Sequence, residues 1–152
     1  MTDFHRPPER PRLPDLSLPR ADGGDAVPVR AHRRGTVLVL LGARVREADV
    51  EYLRSLAAHE DALRAWDGRV LVVVPDAASS RDGGAPGASP FPVVVDAASR
   101  LARAADVVPP ALVVADQWGE VHVAEHVADG AAWLPPDEVE AWLRTIAERC
   151  AG

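Results

Sequence analysis

Two nearly unbroken apolar runs, 36–41 (TVLVLL) and 69–74 (RVLVVV), dominate the hydrophobic pattern of the chain. Both are rich in β-branched residues, too short for helices and bounded by glycine or proline, so each predicts a strand buried on both faces. Between them, over 47–66, the spacing changes to that of a helix. Val50, Leu53, Leu56, Ala57 and Leu63 share one face, Glu47, Asp49 and Glu51 place carboxylates in the first turns, and Asp67-Gly68 stops the run. Strand, helix and strand make one βαβ unit with parallel strands and a right-handed crossover.

Upstream of residue 35, Pro7, Pro8, Pro11, Pro14, Pro19 and Pro28 forbid a helix. Leu13, Leu16 and Leu18, then Val27 and Val29 beyond Asp22-Gly23-Gly24-Asp25, predict two short strands joined by a turn. Downstream, 76–90 is small, polar and glycine-rich and reads as a surface loop, 91–95 as an extended piece, and 97–105 as a short helix entered from Asp96. Alternation of period two over 111–115 (ALVVA) and 120–127 (EVHVAEHV), around Asp116-Gln117-Trp118-Gly119, predicts an antiparallel hairpin. Pro135-Pro136-Asp137-Glu138 opens a last helix in which Val139, Trp142, Leu143, Ile146 and Cys150 line one apolar face. The expected domain spans 13–150, behind a flexible tail over 1–12.

Composition narrows the function classes. With 152 residues, 47% hydrophobic and 26% charged, the chain suits one soluble globular domain. No stretch is apolar and long enough for a signal peptide or a membrane span, so a cytoplasmic location and no membrane partner are expected. All 17 basic residues are arginine. Schiff-base chemistry and the phosphate loop ending in Lys-Ser/Thr both need the lysine that is missing. The net charge of -6 argues against nucleic acid as a partner. Residues 1–34 hold 7 Arg against 5 acids and the remainder 10 against 18, so the basic excess is confined to the N-terminal segment.

Few side-chain constellations suggest chemistry. His122, Glu125 and His126 contain a metal-ligating set, but positions four apart on a strand lie roughly 13 Å from each other, so a solvent-side pair and no metal is the reading. His59-Glu60-Asp61 reads as a solvated charge run. His32-Arg33-Arg34 reads as a solvated turn before a strand, or as an anion site. Gly83-Gly84 lacks the lysine and helix of a phosphate cradle, and no cofactor is implied anywhere. Trp118, at a hairpin tip, is an interface candidate, and Trp133 either an interface residue or one packed under the last helix. The single cysteine, Cys150, cannot form an internal disulfide, which fits a reducing compartment. In the last turn of a helix it sits at the negative end of the dipole, where a thiolate is disfavoured.

The order of these elements, carried by LPDLSL (13–18), RGTVLVLL (34–41), RVLVVVPD (69–76), FPVVVDAASRLARAADV (91–107), VPPALVVADQWGEV (108–121) and LPPDEVEAWLRTI (134–146), resembles the thioredoxin-like superfamily. Within it the chain is similar to the peroxiredoxin-like branch, the alkyl hydroperoxide reductase/thiol-specific antioxidant proteins or redoxins. The resemblance implies an α/β fold of three layers, a central mixed sheet flanked by helices, here with an N-terminal β-hairpin extension. It also implies a reactive cysteine after the central strand, at the start of the next helix, where dipole and backbone N–H groups stabilise a thiolate. This chain has Gly42, Ala43, Arg44, Val45, Arg46, Glu47, Ala48 and Asp49 there, with Arg46 and Asp49 at the positions of a Cys-x-x-Cys pair and Asp49 near that of a peroxidatic cysteine. The accompanying threonine is missing too. Opposite, the family often has a cis proline before a strand, and Pro110, preceded by Pro109, occupies that place.

Three functions follow. The first is a redox-inactive binding module using Gly42, Arg44, Arg46, Asp49, Pro109 and Pro110 toward a protein or peptide, or a second copy of the chain. The second is a thiol-dependent peroxidase or thiol-disulfide oxidoreductase using Cys150 or an intermolecular disulfide. The third is a non-thiol enzyme acting through the Arg46/Asp49 corner on an acidic small molecule.

Overall fold

The computed structural model describes residues 10–76 and 90–150. A five-stranded sheet in the order β5-β4-β3-β6-β7 forms the middle layer: β3 (Gly35–Leu40), β4 (Gly68–Val74), β5 (Val93–Val95), β6 (Ala111–Ala115) and β7 (Val121–His126). The apolar runs become the central strands because both their faces are covered. β3 pairs in parallel with β4 and antiparallel with β6, and β7 runs antiparallel on the outer side of β6.

Alternate residues of the strands feed two cores. Val37, Val39, Leu41, Val70, Val72, Leu112 and Val114 face the helices α1 (Glu47–Ala58), α2 (Glu60–Ala65) and α4 (Pro136–Cys150), which contribute Leu53, Leu56, Leu63, Val139, Leu143 and Ile146. Leu38, Leu40, Leu71, Val73 and Val113 face the other side, under the short hairpin β1 (Ser17–Leu18) and β2 (Val27–Pro28) and the helix α3 (Arg100–Ala104). These are the three layers and N-terminal hairpin expected. α4 comes close enough for Leu143 to rest directly on the paired glycines Gly35 and Gly68, where side chains would collide with it.

The N-terminal segment straps the second face from edge to edge. Val121 N–H donates to the Pro11 carbonyl at one end, and Ala21 and Val95 exchange backbone bonds with Val93 and Pro19 at the other. Part of each exposed sheet edge is thereby paired. Of the segment expected to be a tail, residues 10–12 lie along β7, and 1–9 fall outside the described residues. So does most of the expected loop, over 77–89, with Gly83-Gly84.

Five local expectations need correction. The helix over 47–66 is two helices, because His59 leaves helical geometry with ψ 4° and serves as the end of α1 and the start of α2. Its ring meets Glu140 of α4 at 3.1 Å, so His59 is a contact between helices and not merely part of a solvated run. α3 begins at Arg100, three residues later than expected, because Ser99 adopts a left-handed conformation at φ 53°. Asp96 still caps it, accepting from Arg100 N and Leu101 N at 3.0 and 2.9 Å. Trp142, placed by spacing on the apolar face of α4, is 38% exposed. His122 is not on the solvent side: a bulge between Val114 and Ala115 inserts it as an extra residue, and its side chain is 5% exposed.

Candidate functional site

The corner between β3 and α1 is built around one carboxylate. Asp49, in the first turn of α1, is completely buried. Its Oδ2 accepts from the Arg46 backbone N–H at 2.9 Å, the return half of a helix-capping arrangement. Its Oδ1 accepts from Arg46 Nη2 at 2.9 Å and from Trp133 Nε1, 84 residues away, at 3.1 Å. Every partner is a donor, so the site is made for an ionised carboxylate. Arg46 also reaches the exposed Asp129 through Nη1 at 2.7 Å, and these two hydrogen-bonded carboxylates push its pKa further up.

The corner meets Pro110 as the resemblance implied. The Pro109–Pro110 peptide is cis. A side chain at Gly42 would stand 3.7 Å from the Pro110 ring, and the Pro110 carbonyl accepts from Val127 N–H at 2.8 Å. Arg46 Nη2 in turn lies 3.4 Å from the Val127 carbonyl. Gly42, Arg46, Asp49, Pro109 and Pro110 thus converge at one end of the sheet, with Arg44 exposed on the connecting loop. Val108, immediately before the prolines, is 66% exposed, the most exposed large apolar residue described. Sequence reasoning missed it, although its place before Pro109-Pro110 was the available signal.

The remaining candidates lie elsewhere. Trp118 is 54% exposed in the β6–β7 turn, at the opposite end of β6 from Pro110. Cys150 closes α4, about 20 Å along the axis from the first turn beside Trp133. Trp133 is buried, and its ring stacks on Tyr52 with centroids 4.8 Å apart and planes 11° from parallel.

The Tyr52 hydroxyl is buried without a hydrogen-bond partner, and burial, with Glu125 nearby, pushes its pKa above the ordinary phenol value. Removing an unsatisfied buried hydroxyl while keeping the stacked ring should help the fold. Tyr52→Phe is expected to raise the unfolding free energy by about 1 kcal/mol in urea denaturation. A loss of stability would show that the hydroxyl has a partner.

At the far end of the sheet, ligand atoms of Asp116, Glu120 and His122 lie within 4.8 Å of one another. The sequence reading did not assemble this group, because the bulge that re-aims His122 has no signature in the alternation. Asp116 Oδ1 accepts from Trp118 N and Glu120 N, its Oδ2 meets His122 Nε2 at 3.0 Å, and His122 Nδ1 meets Arg10 Nη1 at 2.7 Å. Asp116 and His122 are therefore spent on one another and on the turn, with Arg10 against the free face of the imidazole. The arrangement clamps the hairpin and the strap together.

Chemically, the β3–α1 corner offers a fixed ion pair and no nucleophile. Both oxygens of Asp49 are engaged, and among the described residues the corner holds no sulfur for peroxide or disulfide chemistry. No protein-family model matches the chain, and no curated protein matches it in sequence. Solved structures match its fold. AhpC from Enterococcus faecalis superposes with a TM-score of 0.73 at 16% identity, over 94% of this chain and 93% of that one. Peroxiredoxin Q from Xanthomonas campestris gives 0.68 at 24% identity, over 89% and 96%. A thioredoxin-like protein from Porphyromonas gingivalis gives 0.61 at 18% identity, over 93% and 95%. The chain has the thioredoxin-like fold, with peroxiredoxins among its structural neighbours and a single cysteine, Cys150. Among the described residues no helix is long and apolar enough to cross a membrane.

Proposed function

We propose that the chain is a redox-inactive member of the peroxiredoxin-like group that serves as a cytoplasmic interaction module. The observation that carries this reading is Asp49, buried and bonded on both oxygens at the position where the resemblance implies a reactive cysteine. A thiolate at a helix start is an anion stabilised by dipole and N–H groups, and a carboxylate held by the same groups keeps the charge while discarding the reactivity. The surface beside it has the makings of a peptide-binding edge: exposed Val108, the Pro109-Pro110 turn and exposed Arg44. The partner is a protein or peptide, a second copy of the chain included, and the module needs no cofactor or nucleic acid. Nothing in the corner favours the non-thiol enzyme, since Arg46 and Asp49 are committed to each other.

Two measurements test the proposal. Peroxide consumption and disulfide reduction, assayed with thiol reductants for the wild type and Cys150→Ser, are expected to stay at the uncatalysed rate in both. Turnover lost on Cys150→Ser would overturn the proposal in favour of the thiol-dependent reading. In a screen of extended peptides and in sedimentation of the chain alone, binding or self-association is expected to fall on Val108→Glu and on Arg44→Glu and to survive Trp118→Ala. Both corner changes are at exposed positions and leave the core alone. Loss on Trp118→Ala alone would move the interface to the opposite end of the sheet.

A further inference from the structure

The second face of the sheet carries a site unrelated to the Asp49 corner. Between the N-terminal strap and α3 runs an open groove of about 680 Å³ with Arg12 and Arg30 along one side and Arg100 and Arg103 along the other. Leu16 and Ala104 are among the apolar residues lining it, and among the described residues no acidic one does. In a chain of net charge -6, that concentration of one sign stands apart.

The charges are also uncompensated. Arg30 is anchored by Nε and Nη2 on the Leu13 carbonyl, and Arg103 by Nη2 on the Ala98 carbonyl at 2.8 Å. A carbonyl orients a guanidinium without neutralising it, so both keep their full charge and several unused N–H donors. The Arg12 and Arg100 side chains make no hydrogen bond or ion pair among the described residues. Two guanidiniums are therefore fixed in advance and two are free to close, all on one open surface groove. Guanidinium forks match oxyanions in bidentate geometry, and a dianionic phosphate offers more acceptor oxygens than a carboxylate. The apolar residues give the rest of such a molecule a surface to lie on. A long polyanion is disfavoured, because beyond the groove it would run over an acidic protein.

We propose that this groove binds an organic phosphate monoester, its phosphate among Arg12, Arg30, Arg100 and Arg103 and its apolar body against Leu16 and Ala104. The site is independent of the interaction surface at Pro109-Pro110, which lies elsewhere on the sheet.

Titration calorimetry with 1-naphthyl phosphate, inorganic phosphate and 1-naphthol separates the contributions of head and body. Naphthyl phosphate is expected to bind roughly tenfold more tightly than inorganic phosphate, with naphthol silent, and the Arg12→Ala/Arg100→Ala double variant to lose roughly tenfold or more of that affinity. Because neither side chain has a partner among the described residues, the double variant should melt like the wild type, so the loss cannot be assigned to unfolding. Arg54→Ala, at an exposed position on α1, controls for general charge and should leave binding unchanged. The proposal is overturned if naphthyl phosphate shows no saturation in the millimolar range, if the double variant binds as well as the wild type, or if Arg54→Ala weakens binding equally. Preferential binding of a single-stranded oligonucleotide would also overturn it, in favour of a nucleic-acid surface.

Discussion

Asp49→Ala is expected to lower the unfolding free energy by about 3 kcal/mol in urea denaturation, the low end of the range for removing one partner of a buried ion pair. Three losses combine. The buried Trp133 Nε1–H is left without an acceptor, the Arg46 backbone N–H at the start of α1 loses its cap, and the guanidinium of Arg46 loses its closest carboxylate. The value stays at the low end because Arg46 is partly exposed and keeps Asp129, so its charge is not stranded. Asp49→Asn provides the internal control. Its amide oxygen can still accept one of these bonds, so it should recover part of the loss, and a variant pair equal in stability would show that the hydrogen bonds contribute nothing. A fall below about 1 kcal/mol for Asp49→Ala would mean the carboxylate is not a keystone of the corner, and a retained but unimportant carboxylate would remove the support for a redox position converted to a structural one.

The build of this corner is only half legible in the chain itself. Counting from the end of 36–41 is enough to put Arg46 and Asp49 at the critical turn, and the three-residue spacing between them is a capping spacing, so their mutual bond had a local signal. The role of Trp133 had none. It arrives from the far side of β7 through the packing of α4, and nothing in the residues around 133 encodes an acceptor at 49. The central strands were readable because burial on both faces leaves a continuous β-branched run, whereas β7 was misread at His122, a bulged residue that breaks the alternation, while His126 is exposed as expected. Val121 and Val123 accordingly sit in opposite cores although they are two apart. The break at His59 was hidden for the converse reason: Leu56 and Leu63 both reach the same core, so the apolar spacing continues through a turn that the backbone does not make as helix. The arginine groove was the least legible feature, since Arg12 and Arg30 meet Arg100 and Arg103 only once the strap has crossed the sheet.

Arg69→Ala is expected to cost about 2–4 kcal/mol and to release the N-terminal hairpin before the sheet unfolds. Arg69 stands near the start of β4, opposite Thr36 in the parallel pair, and its guanidinium is the tie between the two strands and the strap. Nε donates to Thr36 Oγ1 at 3.1 Å, and Nη2 to the Pro28 and Val29 carbonyls at 2.5 and 2.7 Å. Among the described residues no carboxylate balances it. Burial, with Arg34 adding repulsion, pushes its pKa down to about 10, so at neutral pH it remains a cation solvated by carbonyl oxygens. The unfavourable burial of that cation offsets part of the hydrogen bonding, which is why the expected loss falls well below the sum of three charge-assisted bonds. Arg69→Met distinguishes the contributions, since it keeps most of the apolar stem and discards the donors; a stability close to that of Arg69→Ala would assign the loss to the hydrogen bonds and not to packing. Amide hydrogen exchange gives the local readout. The bond from Val29 N–H to the Leu16 carbonyl should lose protection in Arg69→Ala while Val37 to Val39 stay protected, because the backbone bonds to the sheet edges hold residues 11–13 and 19–21 and leave the Pro28-Val29 end to this guanidinium and to apolar contact. Unchanged exchange at Val29 together with a loss under about 1 kcal/mol would show that the backbone bonds to the sheet edges and the apolar contacts hold the strap without Arg69.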